Sequence, residues 1–297
     1  MKLIPPLEIT DAVLQSSTVP ETVALWAAGT TYTKGMLVRR QQTHRVYESL
    51  VDGNAGNVPE TSLTGTPPKW GDVGSTNRWR MLRTDSNVQT EAPGSLTVVL
   101  KPGRRIGALG IVRLQADHIE VTTSDGFNFS ESLRARTVRR WSEYFWSPIQ
   151  YRGSVLLLNL PRSTNAIVTV KLTRQSGPVK CGPMVLGMPV DLGVTQQGAR
   201  VGSRDFSTSS RNFAGDATLL PRKDIPRTTQ NTILDPAQAD AVRIALRAQR
   251  ARVGLYTGLE DAGHPYFDAL AVLGIATNWE LNLDPTLTTL NIDLEGF

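Results

Sequence analysis

The stretch CGPMVLGMPVDLGVTQQGARVGSRDFSTSSRNF, residues 181–213, decides how the chain is organised. Short apolar runs alternate in it with glycines at 182, 187, 193, 198 and 202. That spacing suits extended backbone that turns repeatedly, with glycine where a side chain does not fit or φ is positive. A nucleotide-binding loop would carry GxGxxG or a Walker A run with its lysine, and the stretch has neither. It reads as a structural crossing between two domains. Strands lie on its left; a polar loop, one amphipathic helix and short strands lie on its right.

On the left, residues 94–186 read as β throughout. Leu96, Val98 and Leu100 fall on one face at the strand period. Residues 106–114 form a longer apolar run, and Ile119 and Val121 precede the turn signal of Asp125 and Gly126. Residues 138–149, with Trp141, Tyr144, Phe145 and Trp146, are expected as a strand whose aromatics fill the core and meet another subunit. Residues 155–160 suit a strand buried on both faces, and Ile167, Val168, Val170 and Leu172 suit another. Segments of strand length separated by turns, with no helical period, predict a sandwich or jelly roll.

On the right, residues 188–297 predict an α+β domain. Residues 207–232 are polar and arginine-bearing, with Phe213, Leu219 and Leu220 as the main apolar anchors. A structureless loop of that length is unusual in a compact domain, so a long hairpin or a segment ordered against a partner is expected. A helix follows over 235–250: Asp235 as N-cap, Pro236 at the first position and Gln238 completing a capping box. Its face of Ala239, Val242, Ala245 and Leu246 is expected to pack on strands near 270–276 and 287–294.

Residues 1–24 form an extended arm, because Pro5 and Pro6 forbid an early helix and favour polyproline or edge geometry. Such an arm lies along its own domain or reaches onto a neighbour, and the sequence leaves both open. Residues 25–83 make a small aromatic β module, and 83–93 a polar linker. So short a module buries little, so Trp26, Trp70 and Trp79 must supply much of its core. Part of the same aromatic surface, namely Trp26, Tyr32, Tyr47 and Trp70, is the candidate platform for stacking on a glycan. The predicted class is therefore mainly β and multidomain: aromatic module 25–83, β-sandwich 94–186, and α+β domain 188–297 with one main helix against a sheet.

Composition narrows the function classes. The chain has 297 residues, 20% charged, with a net charge of +5 and abundant glycine and proline, which suits a folded, turn-rich protein. Its arginines are scattered and form no stripe interleaved with aromatics, so no direct nucleic-acid partner is expected. The single cysteine, Cys181, excludes an internal disulfide and a cysteine-based zinc site, and reads as a small buried hydrophobe. No run approaches the roughly 20 apolar residues of a membrane helix, so no membrane insertion is expected. The opening lacks the apolar run of a signal peptide.

Catalytic patterns are sparse. His44, His118 and His264 have no HxxH or HExxH relation, and no metal or other cofactor is expected. Asp205, Asp224, Asp261 and Asp268 are carboxylates a glycan hydrolase would have to pair, but nothing specifies their separation. Ser154 lies in YRGSVLL, not in a GxSxG elbow. His264 near Glu260 and Asp261 is equally a loop that meets a neighbouring subunit. No enzyme is expected.

Trp26, Tyr32, Gly35, Val38, Tyr47, Asn54, Pro59 and Trp70 follow the order of small chitin-binding modules, which the region resembles. It departs from them at Lys34-Gly35-Met36, where an acidic residue is usual. Three further pieces, spanning nearly the whole chain, resemble a recurring structural protein of tailed-phage virions that occurs with tail or fibre genes. The first runs from ITDAVL (9–14) through HRVYESL (44–50) to TNRWRM (76–81). The second is KCGPMVLG (180–187) with LGVTQQGARVGSRDFS (192–207), followed by Phe213 at an aromatic turn position. The third is FDALAVLGIATNWELNLDPTLTTLNIDLEGF (267–297). Residues 212–216 and 220–223 depart from the family pattern.

This second resemblance implies a connector in the virion tail or neck, made in the host bacterial cytoplasm. Its partners would be other tail, neck or fibre proteins and copies of itself. Candidate subunit contacts are Pro5, Pro6, Arg211, Phe213, Arg222, Lys223 and Arg227. The alternatives are a carbohydrate-binding host-recognition protein that meets a surface glycan and, without any supporting motif, a glycan hydrolase.

Overall fold

Apolar residues at the strand period lay most of this chain down as antiparallel β-structure, in a computed structural model that describes residues 1–85, 88–135, 140–146, 150–211, 213, 215–222, 224–261, 263–264 and 266–296. The protein is mainly β. The arm contributes β1 (Lys2–Ile4) and β2 (Leu14–Ser17). The aromatic module holds β3 (Leu37–Arg40), β4 (Arg45–Ser49), β5 (Trp70–Ser75) and the short helix α1 (Asn77–Arg80). The central part runs through β6 (Thr90–Leu100), β7 (Ala108–Val112), β8 (His118–Thr123), β9 (Asn128–Ser132) and β10 (Arg134–Ala135). After α2 (Trp141–Trp146) come β11 (Gln150–Tyr151), β12 (Ser154–Leu157), β13 (Val168–Cys181) and β14 (Met184–Gly187).

The C-terminal part begins with β15 (Val190–Asp191), β16 (Val194–Thr195), β17 (Arg200–Asp205), β18 (Thr208–Arg211), β19 (Ala217–Leu220) and β20 (Asp224–Leu234). It ends with α3 (Ala239–Ala248), β21 (Gly254–Thr257), α4 (Phe267–Leu270), β22 (Ala271–Asn282) and β23 (Thr288–Gly296).

The central part is a sandwich of a five-stranded sheet, β2-β6-β13-β8-β9, and a three-stranded one, β12-β7-β14. Leu96, Val98, Leu100, Val168, Val170 and Leu172 from the first meet Leu109, Ile111, Val155, Leu157, Met184 and Leu186 from the second. The smaller sheet is buried on its other face as well. There Ala108, Val112, Leu156 and Val185 pack against Ile4, Leu255, Phe267 and Leu273 of the arm and C-terminal part. Each large side chain so buried contributes about 1.5–3 kcal/mol. The sheet is thus the middle layer between two cores.

The C-terminal sheet has the order β15-β1-β21-β22-β23-β20-β16, with β17 also on β20. Val242 and Leu246 of α3 are buried with Leu290, Ile292, Leu294 and Val272, and Ala239 and Ala276 lie partly buried beside them. Asp235 caps the 3₁₀ turn that leads into this helix, its carboxylate accepting from Ala237 N at 2.9 Å.

Two expectations change in the structure and one open alternative is resolved. First, the arm lies along its own chain. β1 lies inside the C-terminal sheet, between β15 and β21, and β2 edges the central sheet against β6. Gly187 at the end of β14 lets the arm pass close by, since a Cβ there would collide with the Pro5 carbonyl oxygen. Second, residues 90–93 are not linker. Thr90 opens β6, donates to Asn77 O at 2.7 Å and accepts from Met81 N at 2.9 Å. Trp79, Met81 and Leu82 correspondingly sit in the central core. Third, residues 141–146 form a helix, not a strand. The aromatic spacing at 141, 144 and 145 is i, i+3, i+4, which stacks Trp141 on Phe145 with centroids 6.5 Å apart.

Leu3 is fully buried in the C-terminal core. Replacing it by alanine should lower the unfolding free energy by about 2–5 kcal/mol. Urea unfolding reads this directly, and an unchanged midpoint would mean that β1 is dispensable to the fold.

Candidate interaction surface

The proposed glycan platform turns inward. Tyr32, Tyr47 and Trp70 are buried in the module's own core with Val38. Tyr32 meets Trp70 edge-on at 5.3 Å, and Trp70 Nε1 donates to Asn57 O at 3.0 Å. Asn54, also buried, donates to Ser49 Oγ at 3.0 Å and Lys69 O at 3.1 Å, so the motif's polar residues pin the loop around the rings. Trp26 is partly buried and is covered by the Arg40 guanidinium 4.7 Å from its centroid. Rings buried in this way offer no face to a sugar. As a stacking platform, Tyr32, Tyr47 and Trp70 are therefore corrected to core residues. A module this small must spend its aromatics on its own stability.

The candidate subunit contacts divide. Pro5 and Pro6 are half-buried and line an open cleft of about 630 Å³ with Leu82, Met184 and Val253. Leu7 N donates to Leu186 O at 2.7 Å just beyond them, so this part of the arm is engaged within its own chain. Arg227 is paired with Glu295 at 3.3 Å. Arg211, Phe213 and Arg222 are exposed on one structural element, while Lys223 lies outside the described residues.

That element is a β-ribbon. β17 pairs with the first half of β20, from Arg200 opposite Thr229 to Asp205 opposite Asp224. β18 and β19 continue it, from Thr208 opposite Leu220 to Arg211 opposite Ala217. Gly215, with φ of +90°, helps turn the chain at the tip. Every residue of β17, β18 and β19 is exposed, Val201, Leu219 and Leu220 among them, and Phe213 at the tip is fully exposed. Ribbons of two strands are marginal in water when neither face is packed.

A second exposed group sits on α2. Trp141 and Trp146 are 80% and 86% accessible, with Phe145 and Tyr144 beside them. They fill no core in this chain, contrary to the expectation for them. The short β10–β11 pair carrying α2 is held at its base by Arg134, 2.8 Å from the buried Asp117 carboxylate, and by an Arg152–Glu131 ion pair. Hydrogen bonding from Arg134 keeps the Asp117 carboxyl below its ordinary range. This brace weakens only as pH falls through that lowered value. The sequence signal for the exposed helix was its i, i+3, i+4 spacing.

The polar groups singled out in the sequence have local duties. Ser154 donates to Asp268, joining β12 to α4. Asp261 accepts from Gly263 N at 2.8 Å. Asp205 and Asp224 face each other across the ribbon, where Ser207 bonds hold the Asp205 carboxyl low. His44 stacks on Trp79 at 3.8 Å and lies 3.1 Å from Asp11, His118 bonds Ser130 at 3.0 Å, and His264 accepts from Tyr266 N. Among the described residues no three His, Cys, Asp or Glu side chains converge as a metal site, and no helix is long and apolar enough to cross a membrane. Compared with protein-family models, curated proteins and solved structures, the chain matches none.

Burial pushes the Cys181 thiol from its ordinary 9.0 up to about 12. Native protein at pH 8 should resist a thiol reagent that labels it at once in denaturant; rapid native labelling would contradict this burial. Between pH 9.0 and about 12 only the unfolded chain releases the thiol proton, so stability should fall across that window. Trp70→Ala should unfold the aromatic module with a loss of about 3–5 kcal/mol. A folded Trp70→Ala module that has lost micromolar chito-oligosaccharide binding, by calorimetry, would restore the stacking reading.

Proposed function

We propose that this chain is a structural component of a tailed-phage virion, a connector in the tail or neck that holds tail or fibre proteins through protein–protein contacts. One observation carries the reading. The ribbon of β17–β20 leaves the body with Phe213, Leu219 and Leu220 in solvent, on a scaffold otherwise locked by shared layers. Apolar groups on a projecting element gain their burial from another molecule. The exposed aromatics of α2 supply a second contact of the kind that anchors interfaces, where Trp and Tyr are enriched. The likeness of residues 9–81, 180–213 and 267–297 to tail-associated virion proteins supports the setting.

The carbohydrate reading has lost its main support, because the rings it needs lie in a core. Proteomics of purified particles, with gold labelling of a tagged chain, should place the protein at the tail or neck. Particles lacking it would overturn the proposal. Hydrogen exchange gives a second check. Residues 207–222 should exchange fast in the free chain and slowly in the particle, whereas equal strong protection in both would make the ribbon part of the resting fold.

A further inference from the structure

The turn between β16 and β17 faces the loop that carries the chain from β21 to α4, and the two border an open cleft of about 560 Å³. Sites for small ligands occupy roughly 300–1,000 Å³. Gln196 and Gln197 belong to the first wall, His264 and Tyr266 to the second, and Leu259 and Leu270 line the cleft with them. The walls are tied together within the chain. Thr195 donates its hydroxyl to Gly258 O, and Gly258 N donates to Leu270 O at 3.0 Å. Gln230, wholly buried, donates to the same Leu270 oxygen at 3.2 Å. Gln196 N donates to Asn231 O at 2.8 Å, and Phe267 N to His264 O at 2.9 Å.

The lining is unusual for this chain. Charged residues make up 20% of the sequence, yet no Asp, Glu, Lys or Arg is among the described residues that line the cleft. A charged ligand would leave water there without an opposite charge to meet it. What the cleft offers is hydrogen bonding from neutral groups. The Gln196 and Gln197 carboxamides bond to no described residue, and each holds donors and an acceptor side by side. His264 Nδ1 accepts from Tyr266 N at 3.3 Å, so in the neutral ring the proton sits on Nε2, a donor. The Tyr266 ring is 66% accessible and lies 5.4 Å from the imidazole, centroid to centroid.

These features converge on one chemical class. A saccharide without acidic groups is uncharged, its hydroxyls donate and accept at once, and its C–H face packs on an aromatic ring. A peptide would instead extend along a free strand edge, and the wall at Gln197 and Gly198 is a turn. We propose that this cleft binds a neutral saccharide, with the Tyr266 ring against the sugar face and Gln196, Gln197 and His264 at its hydroxyls. Glycan hydrolysis needs a pair of carboxylates, and none lines the cleft among the described residues, so the site holds a glycan without cleaving it. The proposal goes beyond the connector reading and does not depend on it. It places sugar contact in the C-terminal part and not in the aromatic module, whose rings are buried.

Saturation-transfer NMR and calorimetry on the full chain test this. The probes are neutral oligosaccharides of glucose, galactose, mannose and N-acetylglucosamine, with sialylated and sulfated glycans as charged controls. At least one neutral probe should bind, and no charged one more tightly. Tyr266→Ala, and separately Gln196→Ala with Gln197→Ala, should weaken that binding roughly tenfold or more. Tyr266 and Gln197 are exposed and Gln196 is half-buried, and circular dichroism checks that each variant is folded. Should Tyr266→Ala not fold, the glutamine pair decides. Trp141→Ala with Trp146→Ala, at positions 80% and 86% accessible on α2, should leave the binding unchanged.

No binding of any neutral probe, a preference for the charged glycans, or binding that survives the cleft variants would each overturn the proposal. Loss of binding with the α2 variant alone would move the sugar site to that helix and overturn it too. If no probe binds but particles contain the chain, the connector reading stands and the cleft proposal fails. If a neutral probe binds in the cleft but particles lack the chain, the cleft proposal stands and the connector reading fails.

Discussion

The three-stranded sheet β12-β7-β14 has no face in solvent, and most of the architecture follows from that. One face closes the central sandwich, and the other closes the core shared by Ile4, Leu255, Phe267 and Leu273. A sheet buried on both sides needs apolar residues at successive positions. β7, β12 and β14 supply them, and small residues such as Ala108 and Gly110 stand where the layers come close. The central and C-terminal parts are consequently packed as one stack. The arm then acts as a tie, threading β1 into one sheet and β2 into another.

Against that rigidity the ribbon stands out. It has the hydrogen bonding of a sheet but, among the described residues, neither a third strand nor a covering helix at β18–β19. Two of its three aspartates, Asp205 and Asp224, sit directly opposite each other, a pairing that weakens a ribbon. The same segment carries, among the described residues, the most exposed apolar side chain of the C-terminal part, Phe213. A segment held this lightly is suited to adapt to a surface that it meets later. The helix α2 offers an exposed aromatic face, and β10 at its base is tied by the Asp117–Arg134 pair. The protein thus combines a closely packed body with two exposed elements, the ribbon and α2.

The aromatic module shows how one set of residues can suggest two functions. Rings in a short sheet serve recognition when they face outward and stability when they face inward. Here the tie from Asn54 to Ser49 and Lys69, and the bond from Trp70 to Asn57, turn the rings in. The order of residues along the module is the same in either case. Orientation is settled by which face of β4 and β5 meets the loop at 54–59, and the motif alone does not contain that information.

Local chemistry was legible in the sequence. The alternation at Leu96, Val98 and Leu100, the turn at Asp125 and Gly126, and the apolar run at 155–160, of which only the part to Leu157 is strand, are short-range patterns, as is the Asp235 cap before α3. Their cause lies within a few residues of each. The mainly β class followed from them, and so did the apolar face that α3 buries on β22 and β23. Tertiary structure alone decided the rest. Lys2 pairs in register with Asp191 and Thr257, partners far along the chain that no local pattern names. Residues 203–226 became a ribbon because cross-strand pairing satisfied their backbone without a core. Strand partners and the inward or outward turn of a ring depend on contacts between distant segments, and only the folded chain brings those segments together.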